Sequence, residues 1–355
     1  MWPWLGWLAL LVVVAGLVGR QSPSDGIPHV TLIGLGASFP APLYQNWAWG
    51  LNQRHSQIQV NYQSQGSGAG IRDFLEGHVD FAASDIALAD EDVAKVERGV
   101  LMLPMTAGSI AIAYNLPGVE TGLKLSREAY VGIFSGQIRR WNDPRIAKVN
   151  PEVTLPDLAI TVVHRSDGSG TTAAFTRHLS AISPEWRQRF GEGTTIQWPT
   201  GNFVGARGNE GVTAQIQRNP GTVGYVEYSY AKNHHLHMAA LENKAGAFVL
   251  PTPEAGMAAL AAVTLPENLR AFIRDPEGKD AYPIVTYTWQ LHYRKQPNPV
   301  KAVALEMWIE YGLNEGQKVA PELGYIALPQ SVRQRVAQAA DVLSDQYTIT
   351  LKDLT

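Results

Sequence analysis

From Pro28 onward, short apolar runs alternate with amphipathic ones, and the spacing of apolar positions switches between strand and helix periods. Val30-Thr31-Leu32-Ile33 predicts a buried strand, and Leu43, Trp47 and Leu51 at i, i+4 and i+8 predict a helix over Pro40 to His55. Ile58 to Tyr62 alternates as a strand, and Gly70 to His78 returns to helical spacing through Ile71, Phe74 and Leu75. Val79 to Ala83, Ile110 to Tyr114, Ile160 to His164 and Thr222 to Glu227 predict further strands. Asp90-Glu91-Asp92 opens a helix with negative charge where the macrodipole favours it. Val300 to Tyr311 and Gln330 to Leu343 predict two long helices with no strand between them. Thr194 to Gly211, dense in proline and glycine, predicts an irregular surface loop. Alternating strands and helices predict an α/β fold with largely parallel sheets.

The first nineteen residues differ from the rest: Met1 to Gly19 carries no charged side chain, and Arg20 ends the apolar run. Residues 1–20 therefore predict a signal peptide or an N-terminal anchor. The expected location is periplasmic or extracytoplasmic, with an uncleaved segment as the means of retention at a membrane. Composition narrows the picture further. The 355 residues suggest two domains, and 17% charged side chains argue against disorder. A net charge of −3 gives no basic excess for nucleic acid. The absence of cysteine excludes a disulfide scaffold, a thiol nucleophile and a lipidated N-terminal Cys.

Candidate chemistry gathers in three glycine-rich turns, each between a strand and a helix. They are Gly34-Leu35-Gly36-Ala37-Ser38-Phe39-Pro40, Gln65-Gly66-Ser67-Gly68-Ala69-Gly70 and Arg165-Ser166-Asp167-Gly168-Ser169-Gly170-Thr171-Thr172. Helix N-termini expose unpaired N–H groups, and glycines let an anion approach them. Ser38, Ser67, Ser169 and Thr171 add hydroxyl donors, and Arg165 adds a planar cationic fork. One such turn is an ordinary helix cap; three together favour an anion site. None matches a P-loop, a dinucleotide fingerprint or the Gly-x-Ser-x-Gly of serine hydrolases. His234, His235 and His237 read as a solvated surface, and neither a metal nor another cofactor is expected. Asp85 closes the strand-like Phe81-Ala82-Ala83-Ser84 and reads either as a turn cap or as an acceptor among donors. A carboxylate accepts the proton that phosphate retains near neutral pH and repels sulfate, which has none.

Taken together, Gly36-Ala37-Ser38-Phe39-Pro40-Ala41-Pro42, Tyr62-Gln63 with Gly66-Ser67, Val79 to Asp85, Arg165-x-Asp167-Gly168-Ser169-Gly170-Thr171 and Gly224-Tyr225-Val226-Glu227-Tyr228 closely resemble the periplasmic phosphate-binding proteins of phosphate ABC importers. The resemblance runs in family order over most of residues 28 to 345 and is weakest over Leu241 to Asp280. It implies a two-lobe periplasmic-binding-protein fold with two hinge crossings and a ligand cleft between lobes. Residues 28–106 plus 286–355 would form lobe 1, and 107–285 lobe 2. It also implies phosphate binding by Ser38, Phe39, Ser67, Asp85, Arg165, Ser169, Gly170 and Thr171, with Asp167 orienting Arg165. The family usually has Thr at position 38, so Ser38 keeps the hydroxyl and loses a methyl contact. The implied function is non-enzymatic: a monomer that binds inorganic phosphate and delivers it to ABC permease subunits in the membrane. The alternatives are a receptor for another oxyanion, against which Asp85 counts, and an extracytoplasmic phosphatase-like hydrolase, for which no His or carboxylate cluster supplies a base.

Overall fold

The computed structural model describes residues 27–261 and 263–354. The N-terminal apolar segment lies outside the described residues, so the expectation of a signal peptide or anchor is not addressed by the fold. No helix among the described residues is long and apolar enough to cross a membrane.

The chain opens with a parallel unit of β1 (Val30–Gly36), α1 (Ala41–Arg54), β2 (Ile58–Ser64), α2 (Ser67–Leu75) and β3 (Phe81–Ser84). β1 pairs with β2 and with β3 in parallel, with Gly36 opposite Ser64 and Ala83, so the three strands end level with one another. The turns that follow them therefore meet at one edge, as expected where parallel strands feed helices. β4 (Val100–Asn115) is much longer than the Ile110–Tyr114 stretch predicted, because its first half is as apolar as its second. Residues 100–109 of β4 pair antiparallel with β8 (Val285–Tyr293), and residues 110–115 pair antiparallel with β7 (Thr222–Glu227). Beyond β7 lie β5 (Thr161–Arg165) and β6 (Phe203–Ala206), both parallel within their group.

The strand order is β2-β1-β3-β8-β4-β7-β5-β6. The expectation of largely parallel sheets needs correction: two parallel groups flank an antiparallel centre made by β8, β4 and β7. β8 alternates Val285, Tyr287, Trp289 and Leu291 with Thr286, Thr288, Gln290 and His292, a strand signal missing from the predicted elements, and both of its faces are buried. A second correction concerns Thr194 to Gly211. This stretch holds β6 and the start of α4 (Gly208–Arg218) and is no surface loop throughout. The third glycine-rich turn leads from β5 into α3 (Gly170–Ile182), as predicted.

The C-terminal helices α5 (Pro299–Leu313) and α6 (Gln330–Ala340) return to the opening unit. Leu43, Trp47 and Leu51, the predicted stripe of α1, are buried. Trp47 packs edge-on against Trp308 at 5.8 Å between ring centroids, and its Nε1 donates to Gly316 O at 3.2 Å. A Cβ at Gly312 or Gly316 would stand 2.7 and 2.5 Å from the Trp47 ring, so only glycine lets these backbones approach it. A separate small core of Ala111, Val163, Val212, Ile216 and Val226 packs α4 onto β4, β5 and β7.

Candidate functional site

The loops at the level ends of β1, β2 and β3 are tied to one another before they meet anything else. Ala37 N donates to Ala83 O at 2.9 Å, and Gln65 N and Gly66 N donate to Gly36 O at 2.9 and 2.8 Å. Gly66 adopts φ +94°, which a side chain resists, and this turn presents Ser67 at the start of α2. The helix thus begins at Ser67, three residues before the predicted Gly70. Ser67 Oγ accepts from Asp85 N at 3.2 Å, so the second turn holds the backbone at Asp85.

Asp85 is fully enclosed. Its Oδ1 accepts from the Thr288 hydroxyl at 2.9 Å, and its Oδ2 from the Thr171 hydroxyl at 3.4 Å. Burial pushes its pKa up to about 7; the Thr288 bond, the charge of Arg165 and the Thr171 and Ser67 hydroxyls pull in the opposite direction and do not cancel it. The carboxyl is therefore poised to hold or release a proton near neutral pH.

Facing these loops is the end of β5. Arg165 Nε donates to Asp167 Oδ1 at 2.7 Å and Nη2 to Asp167 Oδ2, a two-pronged pair. Burial alone would lower the Arg165 pKa, but the hydrogen bonds and charge of Asp167 outweigh it and the guanidinium is held more firmly protonated. Burial likewise acts to raise Asp167, and Arg165 more than offsets it, leaving the carboxylate below its ordinary pKa. Gly208 N completes Asp167 with a bond to Oδ1 at 3.1 Å. The third guanidinium nitrogen, Nη1, is buried without a hydrogen-bond partner. An unpaired buried donor of this kind costs about 1–3 kcal/mol, more when charged, so this N–H stands ready for an acceptor brought into the cluster.

The third turn caps α3 through Ser169, whose Oγ accepts from Thr172 N at 3.0 Å. Thr172 and Arg165 N both engage the Tyr225 hydroxyl, at 2.7 and 3.1 Å, so β7 buttresses the cationic fork from behind. Gly170 sits where a Cβ would come within 2.5 Å of Ser67 Oγ and 2.7 Å of Asp85 Cβ. Gly68 N donates to Gly168 O at 2.8 Å, joining the second and third turns backbone to backbone.

The structure thus brings Ser38, Ser67, Asp85, Arg165, Ser169, Gly170 and Thr171 into one buried cluster, with Asp167 behind Arg165. The Phe39 backbone lies alongside, its carbonyl accepting from the Tyr325 hydroxyl at 2.8 Å, while its ring is buried in the core. Four further polar residues join the cluster, two of them (Tyr225 and Glu227) quoted in the resemblance motif without a role and two not picked out from the sequence at all. They are Asn209, bonded to Ser38 and Thr171; Thr288, bonded to Asp85; Tyr225; and Glu227. Glu227 is buried and its pKa is pushed up to about 8 by that burial, against the bonds from Ser229 and Tyr325, with the charge of Asp85 adding to the rise.

A signal for Asn209 existed. Gly208-Asn209-Glu210-Gly211 is a fourth glycine-rich junction between a strand and a helix, followed by the stripe Val212 and Ile216. The hydroxyls of Ser38, Ser67, Ser169 and Thr171 find backbone N–H groups, Asn209 and Asp85 as partners, and no histidine among them. The cluster is accordingly a set of donors around one cation, with Asp85 as the carboxyl that its hydroxyls reach and no histidine beside its serines. Among the described residues no three His, Asp or Glu side chains gather to hold a metal ion.

The mixed α/β sheet order and this donor-rich meeting of turns are matched by known proteins of periplasmic-binding-protein-like fold. A family model described as a PBP superfamily domain matches residues 23–315. The phosphate-binding protein PstS of Pasteurella multocida is 40% identical over 309 residues, covering 86% of this chain and 88% of that protein. Its counterpart in Methanocaldococcus jannaschii is 38% identical over 364 residues, covering 94% and 93%. A high-affinity periplasmic phosphate-binding protein solved with phosphate bound superposes with a TM-score of 0.73 at 21% identity, over 87% of this chain and 93% of that one, and supports the fold. The chain belongs to the PstS family of phosphate-binding proteins within that superfamily.

Proposed function

We propose that this protein is an extracytoplasmic receptor that binds one inorganic phosphate between two lobes and delivers it to the permease subunits of an ABC importer. The lobes are residues 28–106 with 286–355, and 107–285, and the chain crosses between them within β4 and again at the first residue of β8. Contacts across this boundary are already made: Tyr230 OH donates to Ser38 O at 2.6 Å, and Ser64 Oγ to Glu210 Oε1 at 2.8 Å. They support a closed arrangement of the proposed lobes, the one a ligand bridging both favours over an open one.

In this reading Arg165, Ser38, Ser67, Ser169 and Thr171 and the N–H groups at Phe39, Ser67 and Gly170 donate to phosphate oxygens. Asp85 accepts the phosphate proton. The observation that carries the reading is the buried, partnerless Arg165 Nη1 in the same cluster as a carboxyl poised near pH 7. A cation alone would hold any oxyanion; the acceptor restricts the site to one that brings a proton. The hydrolase alternative is set aside, because the relatives are binding proteins and the serines of the cluster have no base.

Calorimetry with inorganic phosphate tests the proposal. One phosphate bound per chain, not displaced by equal sulfate, is the expected result, together with no release of phosphate from a generic phosphomonoester. No binding, or turnover above background, overturns it.

A further inference from the structure

Asn209 is fully buried near the start of α4 and engages three parts of the cluster at once. Its Oδ1 accepts from Glu227 N at 2.9 Å, which fixes the orientation of the amide: the NH2 group has to face the other way. Nδ2 then donates to Ser38 Oγ at 2.9 Å, with Thr171 Oγ1 at 3.4 Å from the same nitrogen. The main-chain N–H of Asn209 donates to the same Ser38 Oγ at 3.1 Å. A hydroxyl has two acceptor positions and one proton. Asn209 fills both acceptor positions of Ser38, so the Ser38 proton points away from it.

We propose that Asn209 is a positioning residue for the bound anion: by saturating Ser38 Oγ as an acceptor, it makes that hydroxyl an obligate donor to phosphate. Ser38 and Asn209 are 171 residues apart and belong to different proposed lobes, so the hydroxyl acquires this polarity only on closure. A second consequence follows for the ligand. An oxygen facing Ser38 can only accept from that hydroxyl and cannot donate a proton to it, because Ser38 has no acceptor position left. The phosphate proton is thereby confined to the Asp85 side, and the anion is oriented in the cleft. Thr171 also receives an N–H from Asn209, at 3.4 Å, and its single proton faces Asp85 Oδ2 until a phosphate oxygen takes it.

This inference rests on the phosphate-receptor reading, so unmodified protein is titrated with inorganic phosphate first. Absence of binding there overturns the receptor reading itself. Given binding, Asn209→Ala and Asn209→Asp are compared in the native background and in Ser38→Ala, with thermal melts confirming that each variant folds. Asn209→Ala is expected to weaken phosphate about 10-fold in the native background and less than about 3-fold beside Ser38→Ala. Asn209→Asp has the same shape but turns a donor toward Ser38 into an acceptor, and it is expected to bind phosphate more weakly than Asn209→Ala. Equal losses in both backgrounds, or an Asp variant that binds better than the Ala variant, overturns the role. Should the variants fail to fold, unmodified protein suffices: the Asn209 side-chain amide protons should exchange with solvent more slowly with phosphate than without. Equal exchange overturns the proposal.

Discussion

Replacing Asp85 with Asn isolates the carboxyl that the cluster's hydroxyls reach. The carboxyl is completely enclosed, held by Thr288 at 2.9 Å and by Thr171 at 3.4 Å, and burial raises its pKa to about 7. Near neutrality it and the phosphate oxygen opposite share a single proton. Asn keeps the shape and removes both the charge and the strong acceptor. A hydrogen bond to a charged group contributes about 1.5–3 kcal/mol, so Asp85→Asn should weaken phosphate roughly 10- to 150-fold. Sulfate should move the other way, because a repelling carboxylate is replaced by a group with an N–H to offer. The phosphate-to-sulfate ratio of affinities should therefore collapse by about two orders of magnitude or more.

Calorimetric titration with phosphate and competition with sulfate at pH 8 measures that ratio. Repeating it at pH 6 adds a signed check. As pH falls through about 7 the native carboxyl gains its own proton, so sulfate affinity should rise, while the Asn variant should show no such change. An unchanged ratio, or a native sulfate affinity that is flat from pH 8 to pH 6, refutes the reasoning.

Three further outcomes follow from the same geometry. Arg165→Ala removes the cation and strands Asp167, and phosphate affinity should fall by roughly 100-fold or more by calorimetry. Gly170→Ala drives a Cβ to 2.5 Å from Ser67 Oγ and 2.9 Å from Asp85 N, across the proposed lobe boundary. It should cut affinity sharply while leaving the melting temperature of the phosphate-free protein nearly unchanged; a large fall in melting temperature with affinity retained would contradict the lobe assignment. Glu227, with its folded pKa raised to about 8, stabilises the folded state most below its ordinary carboxyl pKa, and that contribution is lost as pH rises through about 8. The phosphate-free melting temperature should thus fall between pH 5 and 8, and Glu227→Gln should flatten the slope by up to about 1.4 kcal/mol per pH unit.

What the sequence made legible was the set of chemical groups at chain turns. Ser38, Ser67, Arg165, Ser169 and Thr171 stand beside glycines where strands pass into helices, and such junctions leave a local signature of spacing and composition. Of the buttresses, Thr288 left none and Asn209 only its glycine-flanked junction before a helix. Thr288 lies in a strand buried on both faces, where its hydroxyl looks like any β-branched filler. Asn209 falls in a stretch whose prolines and glycines suggest a loop, although they only bound the short strand β6 and the helix α4. Both earn their partners from segments more than 150 residues away, Asp85 for Thr288 and Ser38 for Asn209. The antiparallel centre was hidden for a related reason: β4 is largely apolar and β8 alternates apolar with polar residues, but neither pattern carries a direction, which is decided by pairing. The α/β class, the two C-terminal helices and the three turns were readable, since each depends on neighbours in sequence; the return of those helices to the first lobe came only with the family resemblance.

A structure of the protein crystallised with inorganic phosphate tests the central claim most directly. The account predicts a single phosphate with one oxygen within hydrogen-bond distance of Arg165 Nη1 and another facing an Asp85 carboxyl oxygen, with Ser38, Ser67, Ser169 and Thr171 around it. A phosphate bound elsewhere, or an Arg165 Nη1 still without an oxygen partner in the complex, would contradict it.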